Sequence, residues 1–164
     1  MEALADAYRP KGFEFLFVFT REAHPGENFP RHTSMEQKIE HARAFRDRLG
    51  VQRTILVDDL EGTVHHAFGL LPDMCYVIGR RNRILYRADW TNADALQMIL
   101  DYQLTRSEQR LSNMKVGPNY CEFLGFRPRV WDKVVAHIHG NGPQAVEDWK
   151  AGLEYWNQHP PSHG

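Results

Sequence analysis

Residues 13–20, Phe-Glu-Phe-Leu-Phe-Val-Phe-Thr, are apolar at every position except Glu14 and Thr20. A half-buried strand alternates apolar and polar residues. A nearly continuous apolar run instead predicts a strand covered on both faces, as in a parallel sheet flanked by helices. The run leads straight into Arg21-Glu22-Ala23-His24-Pro25-Gly26, a loop with a carboxylate and an imidazole two residues apart. Open α/β sheets bind their ligands beyond the carboxyl ends of the strands, so ionisable groups delivered there mark a candidate site.

The rest of the chain alternates in the same way. Met1 to Tyr8 has helical composition and is closed by Arg9-Pro10-Lys11-Gly12, as the last two turns of a longer helix would be. Ser34, with Gln37 as reciprocal partner, predicts a capped helix whose stripe is Met35, Ile39, Ala42, Phe45 and Leu49 and whose stop is Gly50. Thr54 to Asp58 reads as a short buried strand and Thr63 to Gly69 as a short helix. Met74 to Ile78 and Arg83 to Arg87 read as a hairpin turning through Gly79 to Asn82. Thr91 or Asn92 caps a helix carrying Leu96, Ile99, Leu100 and Leu104 and extending toward Leu111. After Asn113 the character changes. Gly117-Pro118, Gly125, Pro128 and Gly142-Pro143 punctuate two short amphipathic helices, around 129–139 and 144–157, ahead of a polar tail from Gln158. With Tyr120, Phe123, Phe126, Trp131, Trp149, Tyr155 and Trp156, this segment is too aromatic for a linker and is expected to pack on the core or on a second subunit.

Composition excludes several classes. Twenty Lys and Arg against twenty-one Asp and Glu give a formal charge of −1, which recruits neither nucleic acid nor an anionic membrane. The longest apolar run is far short of the roughly 20 residues a spanning helix needs, and Met1-Glu2 does not open a signal peptide. Cys75 and Cys121 lack C-x-x-C spacing, which suits a reducing compartment and predicts a cytoplasmic protein without a disulfide scaffold. No metal and no other cofactor is expected. His65-His66 point to different faces of a helix, and His137-Ile138-His139 would share a face only in a strand. Asp58-Asp59 and Glu61 read as N-cap and first-turn charges more readily than as a cation site.

The strand followed by Glu22-Ala23-His24, with His32 in Pro30-Arg31-His32-Thr33-Ser34 and Pro72 before a hairpin, resembles the iodothyronine deiodinases and their bacterial relatives. These are thioredoxin-fold thiol or selenol enzymes related to the peroxiredoxins. The resemblance covers about residues 13–104. It implies a thioredoxin-like α/β domain over 1–112, N-terminally incomplete because the first strand and nucleophile loop lie upstream; the punctuated segment over 113–164 reads as a helical C-terminal extension beyond it.

Residue by residue, the resemblance makes Glu22, His24 and His32 the catalytic candidates that line the cleft and deliver protons. His is the side chain whose ordinary pKa lies near the working pH, and Glu22 would orient it. Spacing alone favours solvated loop residues ahead of a Pro-Gly turn; the resemblance reverses that. Pro72 falls where thioredoxin-like folds place a cis-proline against the nucleophile. Where deiodinases carry a substrate-contacting Arg, this chain has Arg87-Ala88-Asp89-Trp90 with Arg87 out of register, so Pro72, Arg87 and Trp90 are the expected substrate contacts. Cys75, mid-strand in an apolar setting, is expected to be core.

Two classes of function remain. One is a deiodinase-like oxidoreductase acting on a small-molecule substrate with a thiol reductant, its nucleophile outside these residues. The other is a non-catalytic thioredoxin-fold binding or assembly module. A homodimer is compatible with either.

Overall fold

The computed structural model describes residues 1–115 and 130–159. Cys121, the aromatic residues Tyr120, Phe123 and Phe126, the turn signals at 117–118, 125 and 128, and the end of the tail lie outside the described residues. The chain is mixed α/β. In order it forms α1 (Glu2–Tyr8), β1 (Leu16–Phe19), α2 (Met35–Leu49), β2 (Thr54–Val57), α3 (Thr63–Phe68), β3 (Cys75–Gly79), β4 (Arg83–Ala88), α4 (Ala93–Leu111), α5 (Trp131–Gly140) and α6 (Pro143–Gln158). Among the described residues no helix is long and apolar enough to cross a membrane.

The residues gather into two compact units. The first holds Met1–Leu16, Gln52–Thr54 and the described part of Phe68–Phe126. The second holds Phe17–Val51, Ile55–Ala67 and the described residues from 130 onward.

In the first unit β3 and β4 pair antiparallel, Cys75 opposite Ala88 and Gly79 opposite Arg83, with a bulge between Val77 and Ile78. The turn needs left-handed backbone at Arg81 and Asn82, at φ 62° and 55°, which asparagine tolerates better than most residues. Asn92 Oδ1 accepts from the amides of Asp94 and Ala95 and so caps α4. Leu4, Tyr8, Val77, Leu96 and Leu100 form the core, each such side chain contributing about 1.5–3 kcal/mol when fully buried. Phe13 and Phe15 pack against this cluster. That is why β1 begins only at Leu16, three residues later than the apolar run predicts: the run's first half is taken up by the α1–α4 core. Glu2 ties α1 to residues 52–53, accepting from the amides of Gln52 and Arg53 and pairing with the Arg53 guanidinium at 2.7 Å.

In the second unit β1 neighbours β2. The Asp58 amide donates to the Phe19 carbonyl at 3.1 Å. Both residues stand at the carboxyl ends of their strands, so the strands run parallel, as the sequence predicts. The expected full cover on both faces is not found, since Leu16 is 54% and Leu56 47% exposed. Ser34 caps α2 by accepting from the Gln37 amide. Gln37 reaches one residue past the usual partner, to the Thr33 amide and hydroxyl. Gly50, at φ 63°, ends the helix in the left-handed conformation. The stripe is shifted: Leu49 is 62% exposed, while Lys38 and Ala42 are buried.

Residues 130–159 also belong to this unit. There α5 and α6 close on a small core of Ile138, Ala145 and Val146, with Val134 and Trp149 against it.

Candidate functional site

The loop that leaves β1 is shaped by residues far away in sequence. Glu22 Oε1 accepts from the main-chain amide of His24 at 3.2 Å and from Asn141 Nδ2 at 3.1 Å. The same Asn141 nitrogen donates to the His24 carbonyl at 2.7 Å. Beyond the turn, the Asn28 amide donates to the Asn141 carbonyl, and Asn28 Nδ2 donates to the Gly140 carbonyl. Glu27 accepts from the Gln144 amide with both oxygens, at 3.0 and 3.1 Å, capping the start of α6. Gly26 is required here, because a Cβ would collide with the Asn141 carbonyl. The α5–α6 turn and the Glu22–Asn28 loop therefore meet backbone to backbone.

His24 is half-buried. With Pro25, Ala145, Trp149, Leu153 and Trp156 it lines a groove of about 360 Å³, in which Asp148 is the only carboxylate among the described residues. Glu22 takes the backbone amide of His24 rather than its ring, and His24 stands among the residues that line the groove. An imidazole at the edge of an apolar, aromatic groove is placed to exchange a proton with a bound molecule.

His32 keeps different company. Its Nε2 lies 3.1 Å from Nδ1 of His41, and its ring packs on Phe19, while Phe29 packs edge-on to His41. Burial, then the neighbouring His41 and Lys38, push the pKa of His32 down to about 4. At neutral pH His32 is therefore a neutral imidazole, able to accept or donate a hydrogen bond but poorly stocked as an acid.

Lys38, which sequence reasoning missed, is 2% exposed and donates from Nζ to the Asp59 carbonyl at 2.6 Å. Burial lowers its pKa, although Asp58, Asp59 and Glu61 all act in the opposite direction. Its signal was present in the sequence: Met35, Lys38, Ala42 and Phe45 also recur at helical spacing, and three carboxylates follow β2 without a nearby cation. Two of those carboxylates do what their position implied, while α3 begins at Thr63 with no acidic residue in its first turn, so Glu61 is not one of its first-turn charges. Asp58 accepts from the amides of Asp59, Val64 and His65, and Asp59 from that of Thr63, so both hold the first turn of α3. Among the described residues no group of three or more His, Cys, Asp or Glu is arranged to hold a metal ion.

Pro72, Arg87 and Trp90 lie in the first unit. The peptide bond before Pro72 is trans, against the expected cis-proline, and Pro72 is exposed. Nothing around an exposed proline forces the cis form, which is disfavoured by about 0.5–1 kcal/mol. Trp90 is 65% exposed and bridges Asp73 in a single parallel pairing, with the Thr91 amide and hydroxyl both donating to the Asp73 carbonyl. Arg87 pairs with Asp89 at 3.1 Å on the surface, where such pairs contribute little. Cys75, opposite Ala88 in the hairpin, has its thiol pKa raised by burial and by the Asp73 carboxylate, with Arg53 acting in the other direction.

No family model matches the chain, and a search of curated proteins gives no match.

Proposed function

We propose that the chain is part of a deiodinase-like thioredoxin-fold oxidoreductase that acts on a small-molecule substrate with a thiol reductant. In this reading His24 supplies the proton and Glu22 sets its backbone, while the attacking thiolate or selenolate comes from a residue other than Cys75. The observation that carries the reading is the turn at the carboxyl end of β1. There a carboxylate and a carbonyl are fixed by a buried amide, and the half-buried His24 lines a groove. A solvated loop has no reason to be clasped in this way. The parallel β1–β2 pair, the capped α2 and the β3–β4 hairpin add support, because a thioredoxin-like fold needs them in that order. Cys75 is a poor nucleophile: it opens strand β3 rather than a helix, and its pKa is raised by burial and by Asp73.

The test is reductant-dependent turnover of peroxides and halogenated phenols by the natural full-length protein. His24→Ala is expected to lower turnover about a hundredfold or more, as loss of a general acid does, with the far-UV spectrum unchanged. Equal turnover in wild type and His24→Ala excludes the reading.

The second reading, a non-catalytic binding or assembly module, is favoured by the apolar surface of α6, where Leu153 is 43% and Trp156 61% exposed. It predicts no turnover with any electrophile, together with concentration-dependent self-association or capture of a partner that Trp156→Gln weakens.

A further inference from the structure

The amide of Asn141 is 7% exposed, and its one nitrogen serves two acceptors of different kinds, a carboxylate oxygen of Glu22 at 3.1 Å and the main-chain carbonyl of His24 at 2.7 Å. Both acceptors are partly withdrawn from water, and an unpaired buried acceptor costs about 1–3 kcal/mol. An aspartate of the same size would turn acceptor against acceptor at both contacts. The consequence for His24 is specific. Its N–H is held by Glu22 and its C=O by Asn141, so the main chain is fixed on both sides of the Cα and only the side-chain torsions remain free.

We propose that Asn141 is the positioning residue of the Glu22–His24 turn, and that through it α5 and α6 are a working part of the site rather than an appendage. What the turn does rests on the oxidoreductase reading; how it is held does not. Three further contacts from the same helical hairpin point the same way. Glu27 caps α6, Asn28 is bonded to both Gly140 and Asn141, and Gly26 admits the Asn141 carbonyl where a side chain would not fit. Within the loop the bonds are the His24 amide on Glu22 Oε1 and the Gly26 amide on the Phe29 carbonyl. The bonds from the hairpin outnumber these and reach both ends of the turn.

The experiment is amide hydrogen exchange, together with the ¹⁵N spectrum of the His24 ring, on the protein carrying Asn141→Leu and, separately, Asn141→Asp. The amides of Ala42 and Phe45 in α2 report whether the unit is still folded. In either variant the His24 amide is expected to exchange about tenfold or more faster, the loss of one to two hydrogen bonds, while the α2 amides keep their protection. The ring's tautomer ratio should move as well, which a contact that merely cements the fold would not cause. In the natural full-length protein the same variants should lower kcat with KM little changed. Wild-type exchange at His24 in both variants, or faster exchange with an unmoved ring spectrum, overturns the proposal. An active His24→Ala protein would sink the oxidoreductase reading and leave the exchange result standing.

Discussion

Nε2 of His32 lies 3.1 Å from Nδ1 of His41, so one of these two nitrogens carries a proton and the other receives it. The pair is content only while at least one ring is neutral. His32 has a folded pKa of about 4, below the ordinary 6.5 that it regains on unfolding. Between those values the unfolded chain binds more protons than the folded one, so stability rises with pH across that window and falls on acidification. Urea midpoints should therefore decline from about pH 6.5 toward pH 4, and His32→Gln should flatten the slope. A slope unchanged in the variant would assign the acid sensitivity elsewhere.

Ile138 is 2% exposed at the centre of the α5–α6 core. Ile138→Ala should cost about 2–5 kcal/mol, measured by chemical denaturation. Because the hairpin holds the loop after β1, the His24 amide should lose protection at milder denaturant than the amides of α4.

Glu2 accepts from two amides and one guanidinium of residues 52–53. Burial acts to raise its pKa, but Arg53 and the two amides outweigh this and hold it below the usual carboxylate value. Glu2→Ala should destabilise by about 1–3 kcal/mol, and most of that loss should persist in high salt because the amide bonds are local.

The Cys75 thiol should react with iodoacetamide slowly at pH 7.5, and its rate should rise only above the ~8–9 range of an ordinary thiol. Peptide mapping isolates its signal from that of Cys121. Cys75→Ser should leave any thiol-dependent turnover unchanged, and a protein that the substitution inactivates would make Cys75 the nucleophile after all.

Much of the local architecture is written in short-range signals. Ser34 with Gln37, Gly50, Asn92 and the Gly79 to Asn82 turn each depend on neighbours within about four positions, and each sits where those signals put it. Asp58 and Asp59 were legible for the same reason. The burial of Lys38 was not, because a stripe read by hydropathy skips a lysine whose long alkyl stem packs as well as Ile39 would. The start of β1 was misplaced because Phe13 and Phe15 respond to a core built partly by α4, about eighty positions on. The site shows the contrast most sharply. Glu22 and His24 stand out in sequence, yet what orients them is an asparagine 119 and 117 positions away, and no spacing rule reaches so far.

The backbone contact at Gly26 also sets an order in time. At synthesis rates of about 5–20 residues per second, Asn141 leaves the ribosome roughly 6–23 s after His24, since 117 positions separate them. Through that interval β1, β2 and α2 have their local partners, but the Glu22–Asn28 loop has no template. The Glu22–Asn28 loop is thus among the first segments made and among the last to meet its partners, and a chain arrested before α5 would hold that loop without the contacts from Gly140, Asn141 and Gln144.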